Sequence, residues 1–175
     1  MIGVLAANRR RMAVPWTGSN VSIAHLGGQE YQIAKTDGGN STAAAWFPEP
    51  RNGDMRFRVQ PQQTNAYIAL GLTTATGVTL DTGPLAEQIV LRGDGGYTAS
   101  TSYTANAGPT YAYTANQFFW FERIGSVART YVGGDGTFAT ATLYHTFASD
   151  ASDTDRPKIA INLQNASVRV IYFPL

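Results

Sequence analysis

The sequence predicts an all-β fold, a sandwich or a barrel of short strands, and three observations carry that reading. About a dozen short runs rich in β-branched and aromatic residues follow one another, with Gly, Pro or Asn turns between them. No apolar stripe of helical period and useful length interrupts them. The densest run, Phe118-Phe119-Trp120-Phe121-Glu122-Arg123-Ile124, turns over Gly125-Ser126 and returns as Val127 to Val132. A Gly-led pair between two β-rich runs predicts a hairpin with a type II′ turn.

Residues 1–19 read as an N-terminal arm, and 20–175 as one domain. The arm holds the basic cluster Arg9, Arg10 and Arg11, and it ends at Pro15-Trp16-Thr17-Gly18. Two readings of it compete, a frayed terminus and a segment that docks on a neighbouring subunit with Trp16 as an apolar anchor. Val21–His25 and Tyr31–Lys35 then flank Gly27-Gly28 as a hairpin. Ala43–Phe47 stops at Pro48-Glu49-Pro50, which cannot continue a ladder. Met55 to Gln60 alternates, with Met55, Phe57 and Val59 toward a core and Arg56 and Arg58 toward water. Tyr67–Leu72, Val78–Leu80 and Gln88–Leu91 follow. After the central hairpin come Ala139–Phe147, Lys158–Leu163 and Val168–Phe173. Phe57, Val59, Ile68, Leu70, Ile89, Leu91, Phe121, Ile159, Ile161 and Val170 are the expected core.

The central strand is unusual in being apolar on both faces, Phe118 and Trp120 on one and Phe119 and Phe121 on the other. Such a strand belongs in the middle of a sandwich or under an oligomer contact. Tyr97 to Asn116 carries Ser-Tyr-Thr-Ala-Asn and Ala-Tyr-Thr-Ala-Asn ten residues apart. That spacing fits a hairpin tipped by Ala107-Gly108-Pro109, with Tyr97, Tyr103, Tyr111 and Tyr113 on an exposed ribbon. Tyr among Ser, Gly and Asn is also the composition of adaptable binding surfaces.

Composition bounds the function. A chain of 175 residues suits one domain able to bury roughly 70% of its unfolded surface. Charged residues make up 14%, against about a quarter in ordinary domains, and the net charge is +1. No broad basic footprint for nucleic acid follows from that. Cysteine is absent, so disulfides and thiolate metal sites are excluded. The arginines follow the short apolar stretch Ile2–Ala7 instead of preceding it, which is not the order of a secretory signal. No apolar run is long enough to span a membrane as a helix.

The residues supply little chemistry. His25 and His145 sit in no metal-ligand spacing. Asp150, Asp153 and Asp155 share one loop and form a weak calcium candidate without the EF-hand pattern; a solvated acidic loop is the plainer account. Glu122 is the one carboxylate on the aromatic strand, and a cross-strand partner is its expected mate. No nucleophile elbow, P-loop or dinucleotide fingerprint occurs, and the two glycine-rich stretches at 93–96 and 133–136 read as turns. The expectation is a non-enzymatic protein without cofactor or resident metal.

Trp120-Phe121-Glu122-Arg123-Ile124-Gly125, Val127, Tyr131-Val132 and Asp135-Gly136 resemble the strand–turn–strand–turn core of concanavalin A-like (laminin-G-like) sandwiches. That resemblance implies a jelly roll of two packed antiparallel sheets. The chain as a whole is similar in style to small virion proteins of tailed bacteriophages, of the tail-tip or head-decorating kind. It implies a structural protein located in the virion and made in the host cytoplasm, assembling with copies of itself and with other virion proteins. The alternative is a module that recognises a cell-surface glycan, with Trp46, Tyr103, Tyr111 and Tyr113 stacking on sugar rings.

Overall fold

A computed structural model describes residues 16–36, 43–47, 54–73, 87–101, 105–106, 110–150, 156–161 and 166–175. Sheet A has eight strands. Its order is β1 (Thr17–Ser19), β4 (Ala43–Trp46), β14 (Arg156–Ile161), β6 (Ile68–Thr73), β7 (Glu87–Leu91), β8 (Gly96–Thr101) and β10 (Tyr111–Ala112), with β9 (Ala105–Asn106) also on β8. Sheet B has seven, in the order β13 (Thr142–Asp150), β12 (Val127–Val132), β11 (Phe119–Ile124), β5 (Met55–Pro61), β15 (Ser167–Pro174), β3 (Glu30–Lys35) and β2 (Val21–Gly27). All pairings among these strands are antiparallel. The architecture is a two-sheet antiparallel sandwich.

Alternation decides which face of each strand is buried. Ile68, Leu70, Ile89, Leu91, Ile159 and Ile161 come from sheet A, and Phe57, Val59, Phe121 and Val170 from sheet B; all ten are fully buried. Aromatic contacts join the layers, Tyr97 edge-on to Phe119 at 5.2 Å and Phe47 to Tyr172 at 4.8 Å. Turn chemistry follows the sequence as well. Gly125 has φ 55° while Ser126 does not share it, as a type II′ turn requires. Gly27 and Gly28, at φ 127° and 58°, close the β2–β3 hairpin.

Three expectations shift. The ordered sandwich reaches further toward the N-terminus than residue 20, because Thr17–Ser19 pairs with Ala44–Trp46. Trp16 is 7% exposed and lies edge-on to Phe47 at 4.6 Å. It anchors its own core and is not available to a neighbouring subunit. Residues 9–11, 48–50 and 78–80 lie outside the described residues. Second, the run expected to be a strand from Ala139 begins as a 3-10 turn, Phe138–Thr140, with β13 starting at Thr142.

Third, the two-faced strand β11 is central, and its outer face is covered by the chain itself. Trp120, only 2% exposed, lies under Phe138 at 5.5 Å and beside Phe173 at 5.9 Å. The Arg56 guanidinium stands over the Phe138 ring, 3.3 Å from its centre. Arg58 reaches over Phe118 and donates to the Gly136 carbonyl at 2.7 Å. The cover needs its glycines. Gly134 has φ 85°, and a Cβ there would stand 2.7 Å from Thr140 Oγ1 and 3.1 Å from its backbone.

Replacing Phe121 by Ala removes a ring stacked between Phe57 and Phe147, at 5.4 and 5.7 Å. It should cost about 3–5 kcal/mol in urea denaturation. Gly134→Ala should cost about 1–3 kcal/mol by the same measurement, from strain at positive φ. A loss below about 0.5 kcal/mol would show that the cover adjusts freely.

Candidate functional site

Sheet A carries a hollow on its outer face, where β6, β7 and β8 lie side by side. The register places Ala69 beside Val90 and Val90 beside Thr98, and Gln88 beside Ser100. Gln88, Val90, Thr98 and Ser100 form the floor. Tyr67, just before β6, and Arg92, Gly93 and Asp94, in the turn after β7, complete a hollow of about 390 Å3. Gly71 makes the floor possible. A Cβ there would meet the Glu87 carbonyl oxygen at 2.0 Å and the Gln88 Cα at 2.8 Å.

The rim is charged and accessible. Arg92 and Asp94 pair at 3.0 Å, with side chains 44% and 58% exposed. Asp94 Oδ1 accepts from the Gly96 amide at 3.0 Å, which fixes the carboxylate in the turn. The hollow thus presents an aromatic ring, an amide, a guanidinium, a carboxylate and two hydroxyls. Donors and acceptors are mixed, and the opposite charges offset one another. That set suits a neutral, hydroxyl-rich ligand better than an anion or an apolar one.

A second cleft, of about 360 Å3, opens between β10 and β13. Tyr97, Tyr111, Tyr144 and Leu143 line it, with Gln117 and Thr142 at its polar side. Tyr97 contacts Tyr144 at 5.0 Å and Tyr111 at 5.8 Å, while Tyr111 and Leu143 remain half exposed.

The residues singled out from the sequence scatter over these features. Tyr111 lines the second cleft. Trp46 lies half-buried on the outer face of sheet A, packed with Tyr67 against Ala44, Ala69 and Ala160, and does not line the hollow. Tyr113 is not on an exposed ribbon: it is 5% exposed, edge-on to Phe119, with its hydroxyl 3.5 Å from the Arg92 carbonyl. Tyr97 is buried too. The opposing Phe119 draws both rings inward, a long-range contact that local alternation does not contain. Tyr103, Asp153 and Asp155 lie outside the described residues, and of Asp150 only the backbone is described. Among the described residues no three His, Asp or Glu side chains gather to hold a metal ion.

Glu122 has the cross-strand partner expected of it. Arg56 holds it through two nitrogens, Nε at 3.1 Å, and the Tyr131 hydroxyl donates to it at 3.0 Å. This cluster braces the cover over Trp120. Asp135, in the same cover, accepts from the Thr137 and Thr140 hydroxyls and the Thr137 amide, which hold its pKa at about 2. Sequence reasoning missed the hollow's Tyr67, Gln88, Arg92, Asp94, Thr98 and Ser100. The turn Gly93-Asp94-Gly95-Gly96 was the one local signal near them.

Burial is the first cause that raises the phenol pKa of Tyr31, Tyr97, Tyr113, Tyr131 and Tyr144, Tyr113 to about 12 with Asp94 adding to it. A raised folded pKa means that unfolded tyrosines ionise first. Stability is therefore complete below pH about 10 and lost as the pH climbs toward about 12. Phenolate absorbance should rise late and together with unfolding, and Tyr113→Phe should reduce the alkaline loss. Full titration of a folded protein near pH 10 would contradict this.

No known protein family and no curated protein sequence matches the chain. Solved structures do. A human SPRY domain aligns with TM-score 0.60 at 11% identity, covering 89% of this chain and 96% of the other. The VIP36 exoplasmic/lumenal domain, in a Ca2+- and mannose-bound form, aligns with TM-score 0.60 at 12% identity over 91% of this chain and 83% of its own. The carbohydrate recognition domain of Emp46p aligns with TM-score 0.58 at 11% identity, over 90% and 88%. At such identities the likeness speaks for the fold alone. The chain has the concanavalin A-like β-sandwich fold.

Proposed function

We propose that this protein is a carbohydrate-binding module whose ligand seats in the hollow on the outer face of sheet A. The observation that carries the reading is the pairing of Tyr67 with a balanced set of polar groups at one hollow, Gln88, Arg92, Asp94, Thr98 and Ser100. Its volume falls in the range of small-molecule sites. A pyranose offers C–H groups to an aromatic ring and vicinal hydroxyls to a donor–acceptor pair such as Arg92 and Asp94. Two of the structural neighbours support the choice of ligand class, one by its mannose-bound form and one by its name as a carbohydrate recognition domain.

The reading is one of binding without turnover. Glu122 is engaged by Arg56 and Tyr131 and stands on the other sheet from the hollow. The sequence placed a structural role in a phage particle first and glycan binding second, and we reverse that order. Assembly rested on the low charge and on the two-faced strand β11; Phe138 and Phe173 of the same chain cover the outer face of that strand, which leaves the low charge alone in its favour. None of the neighbours described above is a virion protein.

Glycan-array screening should return neutral oligosaccharides. Calorimetry should then show about tenfold weaker binding, about 1.4 kcal/mol, for Arg92→Ala and for Asp94→Asn. The second variant keeps an oxygen for the Gly96 amide but replaces the oxygen that pairs with Arg92 by an NH2 donor, so it removes both the charge and the ion pair. Binding that survives both changes but is lost in Tyr111→Ala would move the site to the tyrosine cleft. No binding to any glycan would end the reading.

A further inference from the structure

A β-sandwich exposes four sheet edges, and each is a template for pairing with another strand unless something blunts it. Among the described residues, three of the four edges carry such a device. Sheet A ends on one side in β1, three residues long, and on the other in β9 and β10, two residues each. Sheet B ends on one side in β13, whose ladder with β12 is broken by two register shifts. Bulges of that kind twist an edge away from a partner.

Among the described residues the fourth edge, β2, is seven residues long and bears no such device before its hairpin end. Val21 to His25 pairs with Lys35 to Tyr31 in unbroken register, the one shift falling after His25 at the hairpin. The strand VSIAHLG contains no Lys, Arg, Asp, Glu or Pro, and all seven residues are exposed or half-exposed. Its hydrogen-bond phase is fixed by its neighbours. The Thr36 amide donates to the Asn20 carbonyl at 3.0 Å, while the Lys35 amide turns the other way to Ala166. Ser22 and Ala24 therefore bond inward to β3, and Val21, Ile23 and His25 aim their N–H and C=O groups outward.

We propose that the β2 edge binds the β2 edge of a second copy of this chain, antiparallel about a two-fold axis at Ile23. That register gives an Ile23–Ile23 pair and two Val21–His25 pairs, about six backbone hydrogen bonds in all. On the core side, the half-buried Val21 and Ile23 of each copy extend the other's apolar layer. On the outer side, Ser22 faces Ala24 of the partner copy, and no charge opposes a like charge. The sequence is self-complementary in this register, and a two-fold contact requires that. The two seven-stranded sheets then become one continuous sheet. A single-strand contact is small, so the dimer is a concentration-dependent one, with a dissociation constant on the order of 1–100 µM.

The test is sedimentation equilibrium of the full chain from about 1 to about 200 µM, with two charge variants at exposed positions. S22K/A24K sets lysines opposite lysines and should weaken the dimer at least about tenfold; S22K/A24E sets lysines opposite glutamates and should hold it at least as tightly as the original chain. Thermal melting checks that both variants fold. S22C/A24C, in a chain with no other cysteine, should close into a covalent dimer that reductant reverses, because the Ser22–Ala24 pairs fall at the closely spaced positions of the ladder. A chain that stays monomeric throughout, charge variants that behave alike, or no covalent dimer would overturn the proposal. So would a dimer lost on removing residues 1–15 with β2 intact, since the occupant would then be the arm.

Discussion

Burial of both faces of β11 is the constraint on which the sandwich depends. On its inner face Phe119 meets Tyr97 and Tyr113 and so ties the sheets together, while Phe121 stacks with Phe57 and Phe147 of its own sheet. Its outer face bears Trp120, too large to leave in water without losing most of its transfer free energy. The chain answers with residues 133–141, which fold back and lay Phe138 on the indole. Arg56 and Arg58 of the adjacent strand then lie over Phe138 and Phe118. Their charges stay at the surface while their planar groups pack on aromatic rings. Glu122 and Tyr131 fix Arg56 in place. A charged cluster on a strand thus serves the packing of this cover.

The outer faces of the two sheets consequently differ. Over β11 the outer face of sheet B is closed by aromatic and cationic groups of its own chain. Over β6, β7 and β8 the outer face of sheet A is concave, with a polar floor and a paired but accessible rim. Arg92 and Asp94 carry opposite charges, so in the proposed function the pair would orient a ligand without adding to a net field. Specificity for a neutral, hydroxylated ligand is consistent with that balance.

Much of the fold was legible in the sequence, because alternation at Met55–Gln60 or at Lys158–Leu163 reports directly which face meets the core. The β2–β3 and β11–β12 hairpins were equally plain, since their glycines sit where positive φ is required. What could not be read was anything decided across the sandwich. Tyr97, Tyr111 and Tyr113 look alike in a run of Thr, Ala, Ser and Asn; Phe119, distant in sequence from Tyr97, draws Tyr97 and Tyr113 inward and leaves Tyr111 half out. Trp16 reads as the end of an arm because three strand residues carry no periodicity, yet pairing of Thr17–Ser19 with β4 puts it on Phe47. The hollow has no motif because its residues come from two strands, the residue before a third and a turn. Only their register brings them together.

The cover over Trp120 also limits how this sequence can change. Asp135, Thr137 and Thr140 bind one another, Gly136 is fastened to Arg58, and Gly134 fits only without a side chain. The segment is pinned at several points within a few residues, so its length is fixed in a way that surface connections seldom are. Insertion or deletion between Val132 and Thr142 would shift Phe138 off the indole, leave Arg56 without the ring it lies on and unfasten Arg58 from the Gly136 carbonyl. The Asp94 turn borders the hollow and is held by the Asp94–Gly96 bond, the Arg92–Asp94 pair and the Tyr113 hydroxyl on the Arg92 carbonyl, with the Arg92 and Asp94 side chains left accessible. In the proposed function, ligand preference can drift through the exposed side chains of the β7–β8 turn, while the β12–β13 connection holds its length.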